Sequence, residues 1–222
     1  MEIKKNILNV LFFLSFTFGY EKLDYKIKYL GLYVADCKIR NNEIVHDDEL
    51  VNEIIFNVET RKFFDIIFPI NNEYKIILDK NNHILQFSKN TNQPGVYNNL
   101  VTRKINNKIY YSDSNFELKK EYFNIFSFLH FIMNSDIIPS NLIIEREGVI
   151  YDAFIKYDII DSAYELDLVF KDFNNPIIDK TDVFTWALFM KDAKRKFYIN
   201  ENKIITKCVF RKGLITVTAD LK

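Results

Sequence analysis

Glu165 and Asp167 stand two residues apart in a run where apolar and polar residues alternate, which is the pattern of a β-strand. Side chains at this spacing share one face of a strand, so the two carboxylates could act as an acid and a base on one substrate. The same spacing is more typical of the solvated face of an antiparallel sheet. An enzyme built on this pair is therefore the weakest function that the sequence suggests.

Other residue types that carry chemistry do not form recognisable sites. His46, His83 and His130 lack partners at the spacings that metal-binding helices use, and we predict structural roles for them. The acidic run 47–49 lacks the alternating ligands and the following glycine of a calcium loop. Nucleophile elbows, phosphate-binding loops and zinc-protease motifs do not occur. We therefore predict no catalytic residue, no metal and no cofactor.

A compact basic cluster lies near the C-terminal end of the chain. Its members Lys194, Arg195 and Lys196 could contact anionic lipid headgroups or a partner protein. Alternatively, they are charges at a hairpin tip that protect a strand edge. Over the whole chain, 30 Lys and Arg balance 30 Asp and Glu, and the net charge is zero. Because this balance gives no basic field for phosphate backbones, we predict no nucleic-acid partner.

Aromatic residues are in excess, with 21 Phe and 13 Tyr beside one Trp. Six of them could line an apolar cavity that binds a lipid chain or another apolar small molecule: Phe63, Phe64, Phe68, Phe126, Phe131 and Trp186. The alternative is that the rings fill a solid core, because each aromatic side chain buries a large area. Composition alone leaves both alternatives open.

The two cysteines, Cys37 and Cys208, lie far apart in the sequence. An oxidising compartment would permit one disulfide between them. The alternative is a pair of buried free thiols, since cysteine is often a small core residue.

The first residues have the layout of a secretory signal peptide. Lys4 and Lys5 precede an apolar run from Ile7 to Phe18, which Gly19 follows. A membrane-spanning helix needs about 20 apolar residues, so a permanent anchor is a weaker alternative, as is a buried core helix. We predict a signal peptide over residues 1–19, an exported mature chain from residue 20 to 222, and no transmembrane segment in it.

The mature chain is patterned mainly as short strands. Apolar residues alternate in many runs, including Phe184, Trp186 and Leu188, and clusters rich in Asn, Asp and Gly separate the runs. Strands joined by such short turns run antiparallel, because a parallel pair needs a longer crossover. The segment 63–68 fits either a helical turn or a loop.

One segment has helical spacing. Apolar residues recur at three and four positions from Leu118 to Met133, with Asp113 and Ser114 ahead of them as candidate caps. The prediction is a mainly β, single-domain protein: a curved antiparallel sheet or half-barrel of about ten or more strands with one principal helix over 118–133.

The order of these features resembles a known family. It includes an opening hairpin with Gly31, a strand ending at Thr60, the run 63–68, the aromatic helix with Ser127, a strand that bears Trp186 and a closing hairpin that ends at Leu221. In this order, over nearly all of the mature chain, the sequence is similar to the DUF3108 family of uncharacterised exported bacterial proteins. The family's Arg-Pro pair in the penultimate strand is replaced here by Arg195 and Lys196.

The resemblance implies a curved sheet that cradles the helix, and a place in the periplasm or at the outer-membrane periphery of a Gram-negative bacterium. It implies no activity, because the family has none assigned. The leading hypothesis is an exported envelope protein that binds an apolar ligand or lipid chain without catalysis. The alternative is a protein-protein interaction or assembly module of the envelope with a solid core.

Overall fold

The computed structural model describes residues 21–106, 108–112, 117–118, 122–173 and 180–222. The predicted signal peptide and the candidate caps Asp113 and Ser114 lie outside these residues. Within these residues fourteen strands form one sheet: β1 Lys22–Tyr29, β2 Leu32–His46, β3 Glu49–Thr60, β4 Asn71–Leu78, β5 Ile84–Gln93, β6 Val96–Ile105, β7 Lys108–Tyr111, β8 Glu117–Leu118, β9 Asn141–Arg146, β10 Val149–Asp158, β11 Ala163–Phe173, β12 Lys194–Ile199, β13 Ile205–Lys212 and β14 Ile215–Leu221. The described part of the chain also has three helices: α1 Lys62–Asp65, α2 Ile125–Asn134 and α3 Val183–Leu188.

Every neighbouring pair in the sheet is antiparallel, and the order runs from β8 through β1 to β14 and on to β9. The β1–β14 pair, with Tyr25 opposite Leu221, joins the two ends of the described chain at the middle of the sheet. The predicted curved antiparallel sheet with few helices is therefore confirmed.

The two halves of the sheet curl towards each other without closing into a barrel. Phe123, which follows β8, donates its N–H to Ile143 on β9 at 3.1 Å and accepts from Glu145 at 2.7 Å. Leu100 on β6 packs in one small cluster with Ile150 on β10. These contacts bring the outer strands of both halves together, although β8 and β9 do not pair with each other in the described sheet.

Helix α2 lies in the core, inside the curve of the sheet. It begins at Ile125 rather than at residue 118, because the side chain of Asn124 accepts from the Ser127 N–H at 2.8 Å while Ser127 Oγ accepts from Asn124 N. Leu118 is part of β8. The predicted start was therefore wrong: the apolar spacing continues upstream of the true cap as far as Leu118, which lies in a strand.

The structure corrects the prediction for one further segment and decides between two alternatives for another. Residues 184, 186 and 188 lie in α3 and not in a strand, because the Asp182 side chain accepts from the Thr185 N–H at 2.9 Å and starts a helix. A run this short does not distinguish a period of two from a helical period. Residues 63–65 of the segment 63–68 lie in α1 and the rest of the segment forms a turn, so the helical-turn alternative is the correct one.

The ends of the sheet differ in their connections. One end of the sheet, which we call the upper end, holds the β1–β2 turn, the β3–β4 connection with α1, the β13–β14 turn and the β11–β12 connection with α3. The lower end holds the β2–β3 and β10–β11 turns.

Candidate functional site

A buried network of charged side chains joins the two halves of the sheet. Lys89 on β5 places its Nζ atom 2.6 Å from Asp182 Oδ2, and the same ammonium donates to Glu147 in the β9–β10 turn. Thr181 Oγ1 donates to Glu147 Oε1 at 2.8 Å. All three charged side chains are buried. The network therefore ties β5 to the β9–β10 turn and to the start of α3.

Asp182 is the centre of this network. Its Oδ1 atom accepts from Tyr74 at 2.6 Å and from the Thr185 N–H at 2.9 Å. Burial acts to raise the pKa of Asp182, but the Lys89 ammonium and these hydrogen bonds outweigh it, so the pKa lies below its ordinary value. Burial, followed by the charge of Asp182, holds the pKa of Tyr74 well above its usual range.

The network has the residue types of a proton-transfer site but no room for a substrate. The space beside Lys89 and Glu147 measures about 20 Å³, which is close to the volume of one water molecule. The charged groups also satisfy one another. We therefore assign this network a structural role.

This network is absent from the sequence-based predictions, although the sequence holds a signal for it. Alternation along β5 places Lys89 on the same inward face as Phe87, and both are buried. A lysine on the apolar face of a strand requires a buried partner of opposite charge. The identity of that partner could not be read from the sequence, because Glu147 and Asp182 are distant in the chain.

A second buried carboxyl group lies next to the network. Glu145 on β9 accepts hydrogen bonds from the Tyr111 hydroxyl and, at 2.6 Å, from the Gly148 N–H. Burial raises the pKa of Glu145 to about 7 from an ordinary value of 4.5. Between these two values the folded chain holds a proton that the unfolded chain has released, so the free energy of unfolding falls as the pH rises.

His130 on α2 has the opposite pH dependence. Burial lowers its pKa from 6.5 to about 4, so the folded chain keeps this ring neutral while the unfolded chain takes up a proton. Stability therefore falls as the pH drops from 6.5 towards 4. The two dependences partly cancel in the native protein, and a variant is needed to separate them.

Replacing Glu145 with Gln removes its titration and leaves that of His130 in place. The quantity to compare is the free energy of unfolding of the Gln variant minus that of the native chain. We expect this difference to be about 2 to 3 kcal/mol higher at about pH 8 than at about pH 5. Urea unfolding at both pH values measures this difference. The control is Glu43→Gln on the exposed part of β2, which should give no such difference. Equal effects of Glu145→Gln at both pH values would contradict the assignment.

The helix residues among the predicted cavity residues belong to a packed core. The Phe126 ring stacks on Tyr74 with centroids 4.3 Å apart and on Phe87 at 5.9 Å. Phe131 packs against Phe123 at 5.0 Å. Rings therefore occupy the space between α2 and the sheet in which we expected an apolar cavity.

The other predicted cavity residues lie elsewhere. Phe63 and Phe68 are exposed and Phe64 is partly buried, all in the β3–β4 connection at the upper end of the sheet. Trp186 is on α3 and is 45% exposed. The structure thus does not bring the six aromatic residues together around one cavity.

The basic cluster is divided by the alternation of β12. Arg195 points into the core, where its guanidinium donates to the carbonyl oxygens of Ala193 at 2.8 Å and Met190 at 2.6 Å, and also to that of Leu188. Its predicted role as a surface contact is corrected: it binds the backbone that follows α3. Lys194, in contrast, is exposed and lies opposite Arg211 on β13.

Lys196 is held by acidic neighbours. Its ammonium lies 2.9 Å from Asp158, 2.5 Å from Asp161 and 3.3 Å from Glu165. Hydrogen bonds to these carboxylates raise the pKa of Lys196. Glu165 therefore forms an ion pair on the outer face of the sheet. Asp167, its proposed catalytic partner, is exposed on the same face.

Cys37 and Cys208 are free thiols, and both are buried. Cys37 is on β2 and Cys208 on β13, with β1 and β14 between them in the sheet. Burial raises the pKa of the Cys37 thiol to about 12 and the pKa of Cys208 as well. The structure therefore has the free-thiol alternative and not the disulfide.

Apolar side chains project from three neighbouring connections at the upper end of the sheet. Ile66 and Ile67 beside α1 are 86% and 70% exposed, and Leu214 in the β13–β14 turn is 93% exposed. We call the apolar rim the six exposed residues Leu30, Leu32, Phe63, Ile66, Ile67 and Leu214. A hydrogen bond of 2.9 Å from Leu30 N to Thr216 O links two of the connections.

Basic residues flank the apolar rim. Arg61 and Lys62 precede it at α1, and Arg211 and Lys212 precede it in the β13–β14 hairpin; all four are exposed. We call these four residues the basic collar. The Arg61 guanidinium lies over the Tyr33 ring, 4.1 Å from its centroid, which fixes it beside the rim.

A groove of about 740 Å³ lies on the outer face of the sheet, where β11 and β12 separate. β12 pairs with β11 only between Ala163 and Leu166, whereas β11 continues beside β10 as far as residue 173. Phe154, Ala193 and Val209 contribute apolar surface to this outer groove.

The described residues contain no group of three or more His, Cys, Asp or Glu side chains that could hold a metal ion. None of the described helices has the length and apolar character of a membrane span.

Comparison with known proteins supports the fold alone. No protein-family model matches the chain, and no curated protein matches it. The structure is similar to the crystal structure of a beta-barrel-like protein of the domain of unknown function DUF1849 from Brucella abortus, with a TM-score of 0.51 and 10% sequence identity. The match covers 90% of this chain and 95% of that chain. The resemblance to DUF3108 stays a prediction.

Proposed function

We propose that this protein is an exported, non-catalytic protein of the cell envelope that binds the surface of a lipid bilayer through its apolar rim. The observation that supports this proposal is the set of exposed apolar side chains on three neighbouring connections at one end of the sheet. Exposed apolar residues are common singly, but a group at one end of a molecule is typical of an interaction surface.

The shape of the rim favours a bilayer over a protein groove as the partner. Ile66, Ile67 and Leu214 are among the most exposed apolar residues of the chain, and they lie in connections that extend beyond the strands. Side chains that project in this way can enter the boundary between headgroups and acyl chains without any change in the sheet. A protein partner would need a matching depression for each of them.

The basic residues beside the apolar rim also favour a lipid bilayer as the partner. The basic collar places four cations beside the rim, where they can contact anionic headgroups while the apolar side chains insert. Two carboxylates lie close to the collar. Asp65 of α1 is exposed and accepts a hydrogen bond from Thr60 Oγ1 at 2.9 Å, and Asp36 lines one pocket together with Arg61 and Lys62. Basic residues thus outnumber acidic ones at this surface.

This proposal keeps the lipid partner predicted from the sequence but moves the contact to the surface. The packed rings around Phe126 leave little room for a lipid chain between α2 and the sheet. The predicted signal peptide over residues 1–19 and the resemblance to exported proteins favour the periplasm or the outer-membrane periphery of a Gram-negative bacterium as the location.

Vesicle binding by the mature chain, residues 20–222, tests the proposal. We expect binding to vesicles of phosphatidylcholine with about one quarter phosphatidylglycerol, and binding about tenfold weaker to phosphatidylcholine alone. At about 0.5 M salt the charge contribution should be screened while the apolar part persists. Absence of binding to both vesicle types would contradict the proposal, and a protein partner at the rim would then be the alternative.

A further inference from the structure

We propose that the outer groove binds the phosphate headgroup of one anionic phospholipid, an inference that rests on the proposed function for its choice of a lipid. The groove lies on the outer face, away from the core that contains α2. Its volume of about 740 Å³ is within the range of small-molecule sites in proteins.

Strand register places cations on the wall of the groove. Lys194 on β12 lies directly opposite Arg211 on β13, so their side chains share the outer face. Lys156 on β10 faces the groove from the other side. Of the described carboxylates, none lies within ion-pair distance of these three cations. Their charges are therefore available to a ligand.

The rest of the lining adds positive charge behind these residues. Arg195 also lines the groove, although its guanidinium points inward, donates to the carbonyl oxygens of Ala193, Met190 and Leu188, and interacts electrostatically with Asp167. The opposing charges in the lining are Glu165, Asp167 and Asp192, of which Glu165 is held by Lys196. An anion between Lys194 and Arg211 would supply a counter-charge, because no carboxylate of the described residues lies within ion-pair distance of either cation.

The combination of residues favours a phosphate group attached to an apolar tail. A guanidinium and an ammonium side by side suit phosphate oxygens, the first as a planar fork and the second as a point charge. Phe154 and Val209 give the groove an apolar part that a headgroup alone would not need.

The position of the groove relative to the apolar rim favours a lipid over a soluble anion. Arg211 and the rim residue Leu214 belong to the same β13–β14 hairpin. A bilayer that receives Leu214 would thus present its headgroups to the upper end of the groove.

A short-chain lipid that stays monomeric tests the groove separately from the rim. We expect dihexanoyl phosphatidylglycerol, below the concentration at which it forms micelles, to bind the mature chain and shift the amide NMR signals of β12 and β13. Dihexanoyl phosphatidylcholine should bind more weakly. The variant Lys194→Ala/Arg211→Ala should lose at least about tenfold in affinity for the anionic lipid, since each removed cation makes a charge-assisted contact.

The matched control removes the same charge from other exposed sites. Lys80→Ala/Arg103→Ala, in the β4–β5 turn and on β6, should bind the lipid like the native chain. Equal losses in both double variants would mean that only net charge matters, and would overturn the inference. Glycerol 3-phosphate that binds as tightly as the lipid would assign the groove to soluble phosphate esters and refute the lipid assignment.

The probe also separates this inference from the proposed function. Because monomeric lipid forms no bilayer, its binding does not need the apolar rim. Monomer binding without vesicle binding would refute the proposed function and retain a phospholipid site in the groove. Vesicle binding without monomer binding would refute the groove site alone.

Discussion

Replacing Lys89 with Met is expected to lower the free energy of unfolding by about 3 to 5 kcal/mol, because the substitution leaves two buried carboxylates without their cation. Lys89 lies 2.6 Å from Asp182 and also pairs with Glu147, and all three side chains are nearly inaccessible to solvent. Met keeps most of the volume of the lysine side chain, so a large loss would report the missing charge rather than a cavity. Urea unfolding at about pH 7 measures it.

Two further variants make this prediction specific. Lys171→Met removes an exposed cation that lies 2.8 Å from Asp152, and it should cost far less stability than Lys89→Met because solvent screens an exposed ion pair. Adding Asp182→Asn to Lys89→Met removes one of the two uncompensated charges and retains an oxygen for the Tyr74 and Thr185 hydrogen bonds, so part of the lost stability should return. Equal losses in Lys89→Met and Lys171→Met would contradict the assigned role of the network.

Most of the sheet could be predicted from the sequence because its information is local. Alternating apolar residues between short polar turns define strands and make neighbours antiparallel. The errors arose where periodicity does not show a helix cap: Asn124 begins α2 within a run of helical spacing, and Asp182 begins α3 just before a run that alternates. A side-chain hydrogen bond to the backbone decided both boundaries, and hydrophobic periodicity does not record such a bond.

Less of the candidate site could be predicted, because it depends on which connections meet. The sequence predicts Phe63, Phe64 and Phe68 as binding residues, but it groups them with Phe126 around one cavity. In the structure their connection lies at the same end of the sheet as Leu214. Leu214 and Leu30 are distant in the sequence and become neighbours through the pairing of β1 with β14. Arg195 was grouped with Lys194 by sequence, although adjacent residues on a strand point to opposite faces.

The second large effect that we expect is on vesicle binding by the rim. Ile66→Ser/Ile67→Ser replaces two exposed apolar side chains and changes no charge. If these side chains enter the bilayer, each contributes about 1 kcal/mol of transfer free energy, so the double variant should bind vesicles about 30-fold more weakly. Stability should change little, because both residues are exposed.

The lower end of the sheet offers a matched control. Ile159 and Ile160 in the β10–β11 turn are 81% and 95% exposed, so Ile159→Ser/Ile160→Ser removes the same side chains from the opposite end of the molecule. The most direct test of the proposed function compares the vesicle affinities of these two double variants. We predict a loss of about 30-fold for the rim variant and native affinity for the control. Equal affinities for the two variants would contradict the assignment of the apolar rim as the membrane-binding surface.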